Sequence, residues 1–192
     1  MGKGFSVRKI VVTGALGAVA VALSISGLGY IPWFAGASLS VLAIPAIVGA
    51  VIEGPVVGIL VGAIFGLTSL VQAAVNPAKG PLDVFFVNPL ISVLPRLFIG
   101  LVAWAVFRLF SAKFRAAGAA VAGIVGALTN TVLVLGALVV AGAIPLALAG
   151  TVFVSNGLIE AAASAILTAG IVAAWKGVEE RPGKSRLADE GK

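Results

Sequence analysis

The chain has 192 residues, of which 60% are hydrophobic and 10% are charged, and its mean hydropathy is +1.19. Soluble domains are about 45–50% apolar and about 25% charged, so this composition excludes an ordinary soluble protein and indicates an integral membrane protein. The net charge of +6 does not indicate a nucleic-acid partner, because the basic residues cluster at the ends of apolar runs. The chain has no cysteine and no histidine, which excludes disulfides, thiolate chemistry and the commonest general base.

Six apolar segments follow one another along the chain. A helix needs about 20 residues to cross a hydrocarbon core of roughly 30 Å. The segments lie near residues 10–28, 39–53, 55–73, 86–108, 117–142 and 150–175. The second is short for a membrane span and contains Pro45. The sequence predicts an all-α membrane protein, a compact bundle of six transmembrane helices forming a single domain over residues 10–176.

The positions of the lysines and arginines predict the orientation, because cytoplasmic loops retain them. With the N-terminus inside, one outer loop holds Lys79 and one span contains Arg96. The cytoplasmic side receives the remaining 11 cations: Lys3, Arg8, Lys9, Arg108, Lys113, Arg115, Lys176, Arg181, Lys184, Arg186 and Lys192. Both termini are therefore predicted to be cytoplasmic, as a short N-terminus at 1–9 and a charged tail at 177–192. The alternative for the N-terminus is a signal peptide, although no clear cleavage site precedes a polar segment.

Small residues form stripes on two of the predicted helices. Small side chains let transmembrane helices approach closely. The third segment carries Gly54, Gly58, Gly62 and Gly66 at four-residue spacing, and the first carries Gly14, Ala18 and Ala22. We interpret the glycine stripe as packing within the bundle, and for the first segment packing against a partner protein is the alternative.

Polar residues within membrane spans are costly and indicate function. They are few here: Gln72, Asn76, Asn88, Arg96, Asn130, Asn156 and Glu160. In the predicted topology most of them lie in the outer half of the bundle, and they fade toward the cytoplasmic half. Asn156 and Glu160 are four residues apart and share one helix face. This convergence predicts a site open to the exterior, and the alternative is an Arg96–Glu160 ion pair that only joins two helices.

Two further features belong to the same outer side. Prolines at 89 and 95 interrupt the helix around Asn88, which frees backbone groups that neighbours or a lined cavity must satisfy. The loop GYIPWFAGAS carries Tyr30, Trp33 and Phe34, either as anchors at the membrane interface or as rings that cover a ligand.

The sequence lacks the motifs of an enzyme. It has no G-x-x-x-x-G-K-[ST] phosphate loop, no G-x-S-x-G with a histidine partner and no H-E-x-x-H or paired carboxylates for a metal. We therefore expect neither catalysis nor a cofactor. Active uptake would then require a partner that supplies energy.

Three segments in order resemble the substrate-binding S components of energy-coupling-factor (ECF) vitamin transporters. They are IPWFAGASLSVLAIPAIVGAVIEGPVVGILVGAIFGL, PLISVLPRLFIGLVAW and GALTNTVLVLGAL, and the resemblance extends over about residues 8–176. It implies a six-helix protein of a prokaryotic plasma membrane that binds a vitamin near its outer face. It also implies partners, namely a transmembrane coupling protein and two ATPase subunits. Small residues on the first helix contact the coupling protein in this family, and Gly14, Ala18 and Ala22 match that pattern.

Arg96 favours an anionic cargo, because a guanidinium can bind a carboxylate bidentately where water is excluded. The asparagines suit hydroxyls and amides. Pantothenate has a carboxylate, an amide and hydroxyls, and the LPRLFIGLVAW and TNT segments look most similar to that branch. Folate would need more aromatic stacking than Tyr30, Trp33 and Phe34 supply, and riboflavin lacks a carboxylate for Arg96.

Two alternatives from other classes remain at the level of the sequence. A stand-alone channel or facilitator would use the same polar cluster to line a pore and would give uptake without a coupling module. A structural or assembly membrane protein would bind no small molecule.

Overall fold

The computed structural model describes residues 6–32, 38–75, 82–110 and 114–179. Three predicted site residues, Trp33, Phe34 and Asn76, lie outside these ranges. The elements in chain order are α1 (Val7–Ser26), β1 (Tyr30–Pro32), β2 (Ser38–Ser40), α2 (Ile44–Glu53), α3 (Pro55–Val75), a 3₁₀ helix (Asp83–Val87), α4 (Pro89–Ser92), α5 (Leu94–Phe107), α6 (Arg115–Val140), α7 (Leu146–Val152), a π turn (Phe153–Gly157) and α8 (Leu158–Glu179).

Five helical spans within the described residues are long and apolar enough to cross a membrane. They are Val7–Ser26, Pro55–Val75, Pro89–Phe107, Arg115–Val140 and Leu146–Trp175. The protein is therefore helical and multi-pass, whereas the predicted count of six spans is not confirmed. The cytoplasmic placement of the termini stays a prediction.

The second predicted segment accounts for the difference. Its first residues form β2 and a turn, so that only the ten residues of α2 are helical. At 1.5 Å per residue such a helix covers roughly half of the hydrocarbon core. Every residue from Ile44 to Val51 is buried, so α2 is a core helix surrounded by the longer ones.

Prolines and a glycine set the ends of several helices. Gly54, with φ of 103°, ends α2, and Pro55 begins α3. The chain breaks again at Val93 between α4 and α5, where Pro89 and Pro95 each stand at a helix start. The predicted interruption of the fourth segment is thus present. At the other end of the bundle, Arg8 Nε and Glu53 Oε1 are 2.5 Å apart and join α1 to α2.

The glycine stripe of α3 packs against α4 and α5, as predicted for packing within the bundle. A Cβ built on Gly58 would lie 2.8 Å from the Cα of Gly100, and one on Gly66 would lie 2.8 Å from the Cα of Val93. A Cβ on Gly62 would collide with the carbonyl oxygen of Arg96. Gly54 is not part of this contact, because it lies in the turn before α3. The stripe therefore fixes the backbone that carries Arg96 directly against α3.

The two short strands form an antiparallel ribbon between α1 and α2. Tyr30 pairs with Ser40, Ile31 with Leu39 and Pro32 with Ser38. We call β1 and β2 together the ribbon. Tyr30, which follows α1, and Ser40, which precedes α2, lie opposite each other at the base of the ribbon.

We expect Gly62→Ala to destabilise the purified protein, because a methyl group there cannot fit against the Arg96 carbonyl without moving α5. Overpacking of this kind costs about 1–3 kcal/mol. Thermal unfolding in detergent measures the effect.

Gly136→Ala is the matched control, since a Cβ at this helical glycine of α6 meets no atom within 4 Å. It should leave stability unchanged or raise it slightly. Equal stability of Gly62→Ala and Gly136→Ala would show that the α3–α5 contact is not close-packed.

Candidate functional site

Arg96 is a buried cation in the first turn of α5, with 5% of its surface exposed. Pro95 has no N–H, so the carbonyl of Ile91, four residues before it, has no helical donor. The Nη1 of Arg96 donates to this Ile91 oxygen at 2.5 Å. The proline break and the arginine are therefore linked, since the side chain satisfies an acceptor that the break leaves free.

Aromatic and hydroxyl groups enclose this guanidinium. Its central carbon lies 5.3 Å from the ring centroid of Phe65 and 5.1 Å from that of Phe86, which are cation–π contacts. Tyr30 is within electrostatic range of it. The Nε of Arg96 is buried and has no hydrogen-bond partner. The site thus holds a charged donor that the described part of the chain leaves incompletely satisfied.

Glu160 lies in a second cluster of polar groups, apart from the cluster around Arg96. It is formed by α8, α6 and the ribbon. The side chain of Glu160 is 8% exposed. Its Oε1 accepts from the backbone N–H of Ser40 at 2.5 Å, and its Oε2 accepts from the hydroxyl of Thr131 at 3.0 Å. The alternative of an Arg96–Glu160 ion pair is wrong in this structure, because Arg96 and Glu160 each bond other groups, and the ion pair formed among the described side chains is Arg8–Glu53.

Asn130 and Asn156 are both buried, and each has an unpartnered amide atom. In Asn156 the Oδ1 accepts from the Ser155 hydroxyl at 2.9 Å, and the Nδ2 has no partner. In Asn130 the Oδ1 has none. Asn156 lies in the π turn, a local widening of the helix that is frequent at functional sites. Unpaired buried polar atoms are rare in proteins and mark positions where a further partner fits.

The two polar groups are neighbours in the bundle. The ribbon joins the Arg96 cluster to the Glu160 cluster. Tyr30, near Arg96, is paired with Ser40, and the Ser40 N–H bonds Glu160. The packing of α6 on α5 joins them a second time. A Cβ on Gly126 would lie 3.3 Å from that of Ala103, and Asn130 lies one helical turn beyond Gly126, in the direction of the α5 start.

Two predicted site residues have local structural roles instead. Asn88 is exposed, and its Oδ1 accepts from the N–H of Leu90 at 3.0 Å, so it caps α4. Gln72 accepts from the Ser24 hydroxyl at 3.1 Å and thereby links α3 to α1. The structure does not bring either of them to the Arg96 guanidinium through a hydrogen bond.

The sequence reasoning missed several residues that surround the site. Phe65, Phe86, Ser69, Ser92 and Thr131 sit in apolar segments, where such residues are ordinary and give no separate signal. The expectation that polar groups fade inward also needs correction. Asn156, Glu160, Ser164 and Thr168 recur every fourth residue and are all buried, so small hydroxyls continue the polar face of α8 toward its C-terminal half.

The predicted partner-contact stripe on α1 faces outward. Gly14, Ala18 and Ala22 are exposed, whereas Val12, Ala20 and Ser24 of the same helix are buried. A Cβ on Gly14 would meet no atom within 4 Å. No described part of the chain therefore covers this stripe.

A separate apolar groove of about 470 Å³ lies between α5 and α6. Its lining consists of Phe98, Val102, Val125, Leu128, Thr129, Val132 and Leu133. The Thr129 hydroxyl donates to the Val125 carbonyl at 2.7 Å, so the groove offers no free polar group for a charged ligand. Among the described residues no group of three His, Cys, Asp or Glu side chains gathers to hold a metal ion.

The comparisons with known proteins identify the family of the chain. No curated protein matches the chain. The family model described as "ECF transporter, substrate-specific component" matches residues 8–172, which include all five long helices almost completely. The chain therefore belongs to the substrate-specific component family of ECF transporters.

Proposed function

We propose that this protein binds a small carboxylated vitamin, pantothenate first, as the substrate-specific subunit of an ECF-type ABC importer in the plasma membrane of a prokaryote. The observation that carries the proposal is the state of Arg96. It is a buried cation to which no carboxylate of the described side chains is bonded, and its Nε has no partner among them. Folate, riboflavin or another vitamin follow pantothenate as candidates.

A buried charge that lacks a counter-ion is unfavourable in free energy. Removing one partner from a buried ion pair costs about 3–5 kcal/mol, because the remaining charge is left uncompensated. The rings of Phe65 and Phe86 offset part of this cost for Arg96. A ligand carboxylate would offset the rest, since it accepts two parallel N–H bonds from a guanidinium. The site therefore favours an anion over a neutral molecule.

The buried amides suit the remainder of such a ligand. The Oδ1 of Asn130 requires a donor, and the Nδ2 of Asn156 requires an acceptor. The hydroxyls and the amide of pantothenate provide both kinds of group. Tyr30 belongs to the same proposed site through its position near Arg96. Both oxygens of Glu160 already accept hydrogen bonds within the protein.

The exposed stripe on α1 supports the proposed partnership. Gly14, Ala18 and Ala22 present small side chains outward, which is the surface that lets another transmembrane helix approach closely. We propose that this stripe contacts a transmembrane coupling protein, which two ATPase subunits energise. The chain itself carries no phosphate-binding loop.

Arg96→Ala should lower the affinity for pantothenate by about 100-fold or more, because charge-assisted hydrogen bonds contribute about 1.5–3 kcal/mol each. Titration calorimetry on the purified protein measures this. The alcohol analogue of pantothenate, which lacks the carboxylate, should bind both proteins equally weakly.

Arg108→Ala is the control, since Arg108 is an exposed cation at the far end of α5. Its affinity should equal that of the unsubstituted protein. Wild-type affinity of Arg96→Ala for pantothenate, folate and other carboxylated vitamins would refute this site.

Asn130→Leu should lower the affinity for pantothenate by about tenfold without lowering thermal stability. Its Oδ1 has no partner among the described residues, so removing it breaks no hydrogen bond that they form, whereas a bound ligand loses one. A loss of stability with unchanged affinity would instead assign Asn130 a purely structural role.

Ala18→Leu and Ala22→Leu should abolish co-purification with the coupling protein and vitamin uptake in cells, while vitamin binding persists. A bulky side chain on the stripe prevents close helix approach. Val19→Leu is the matched control, because Val19 is exposed but lies off the stripe. Uptake by cells that lack a coupling module would support the stand-alone facilitator and contradict the proposed partnership.

A further inference from the structure

The ribbon is attached to the rest of the protein in two different ways. At its base, backbone bonds join it to its own flanking chain: Gly29 N–H to Leu23 O at 2.9 Å, Tyr30 N–H to Gly27 O at 3.1 Å and Val41 N–H to Gly29 O at 3.2 Å. These bonds hold the ribbon to the end of α1 and none of them reaches α3, α6 or α8. They fix where the ribbon starts but not where it lies over the bundle.

Two side-chain contacts reach across to other helices. Tyr30 Oη and Ser69 Oγ are 3.5 Å apart, which is at the outer limit for a hydrogen bond between hydroxyls. Ser40 N–H donates to Glu160 at 2.5 Å, a much closer contact. The stronger of these two attachments is therefore the one to Glu160.

Glu160 is itself held in place. Its second oxygen accepts from Thr131 of α6 at 3.0 Å, so a single carboxylate joins the ribbon, α6 and α8. Neither oxygen is among the buried atoms without a partner, in contrast to Nε of Arg96 and the amide atoms of Asn130 and Asn156. Both oxygens of Glu160 are therefore used to attach the ribbon and α6 to α8.

We propose that Glu160 is a positioning residue that fastens the ribbon over the Arg96 site and sets how often that site opens, and that it does not contact the cargo. The link to the site is geometric, because Ser40 is paired with Tyr30, and Tyr30 lies against Ser69, one helical turn from the Phe65 ring that covers Arg96. Releasing Ser40 from Glu160 removes the stronger of the two hydrogen bonds that, among the described residues, join the ribbon to other helices. This role does not depend on the identity of the cargo.

The absence of cysteine allows a test that needs no ligand. Ser69→Cys places a thiol under Tyr30, at a position that is 7% exposed, and a membrane-impermeant maleimide reports how often the ribbon moves away. Adding Glu160→Leu should speed labelling about tenfold, since the hydrogen bond from Ser40 is lost. Adding Glu160→Gln should leave the rate close to that of Ser69→Cys alone, because the amide oxygen still accepts from Ser40. Labelling of Glu160→Leu at the unchanged rate would overturn the proposal.

Two further variants guard against a folding defect in Glu160→Leu. Ser40→Pro removes the donor N–H and keeps the carboxylate, so it should speed labelling to a similar extent. Glu53→Gln changes the carboxylate that pairs with Arg8 at the other end of the bundle and should not affect labelling. Val84→Cys, at an exposed position of the 3₁₀ helix, controls for reagent reactivity and should label equally in all backgrounds. Slow labelling of Ser40→Pro would contradict the proposed attachment.

Cargo titration with Glu160→Gln separates this proposal from the proposed function. An attachment role predicts an affinity for pantothenate within about threefold of the unsubstituted protein, since the hydrogen bond survives with about half its strength. A large loss of affinity with unchanged labelling would show that Glu160 contacts the cargo. Failure of the labelling test alone would leave the proposed Arg96 site untouched.

Discussion

The rest of the structure depends on keeping a permanent positive charge inside an apolar helix bundle. Arg96 is 5% exposed, and its charge cannot be removed by deprotonation as that of a lysine can. The break at Pro95 supplies an acceptor at the Ile91 carbonyl, two phenyl rings cover the guanidinium, and Gly62 lets α3 lie directly against the Arg96 backbone. In the sequence, Pro95, the two phenylalanines and Gly62 look like a helix breaker, core residues and a packing residue. In the structure they all accommodate the side chain or backbone of Arg96.

Two buried ionisable side chains, Arg96 and Glu160, are kept apart from each other. A paired Arg96 and Glu160 would neutralise each other and leave nothing for an anionic ligand to bind. Instead Glu160 is satisfied by the ribbon and by Thr131, and Arg96 keeps an unpartnered Nε. This separation supports the proposal that Arg96 binds the carboxylate of the cargo and that Glu160 holds the ribbon. The family of the chain, the substrate-specific component of ECF transporters, is that of a transport subunit.

The sequence allowed the long helices to be predicted, because hydrocarbon thickness sets their length independently of tertiary contacts. The same criterion failed for residues 39–53, where the β2 strand and the burial of α2 depend on neighbours that the local pattern does not reveal. Arg96, Asn130, Asn156 and Glu160 were predictable as buried polar groups, since such residues are rare in apolar segments. The partners of Glu160 and Arg96 were not, because the Ser40 amide and the Ile91 carbonyl are backbone groups whose positions follow from the fold.

Mass spectrometry of the small molecules released from the purified, unheated protein tests the central claim most directly. Cells growing on a rich medium offer many vitamins at once, so the protein itself selects among them. The account predicts one carboxylated vitamin, pantothenate first, present in an amount comparable to the protein and absent from an Arg96→Ala preparation. Recovery of an uncharged molecule in that amount, or of the same vitamin from both preparations, would contradict it.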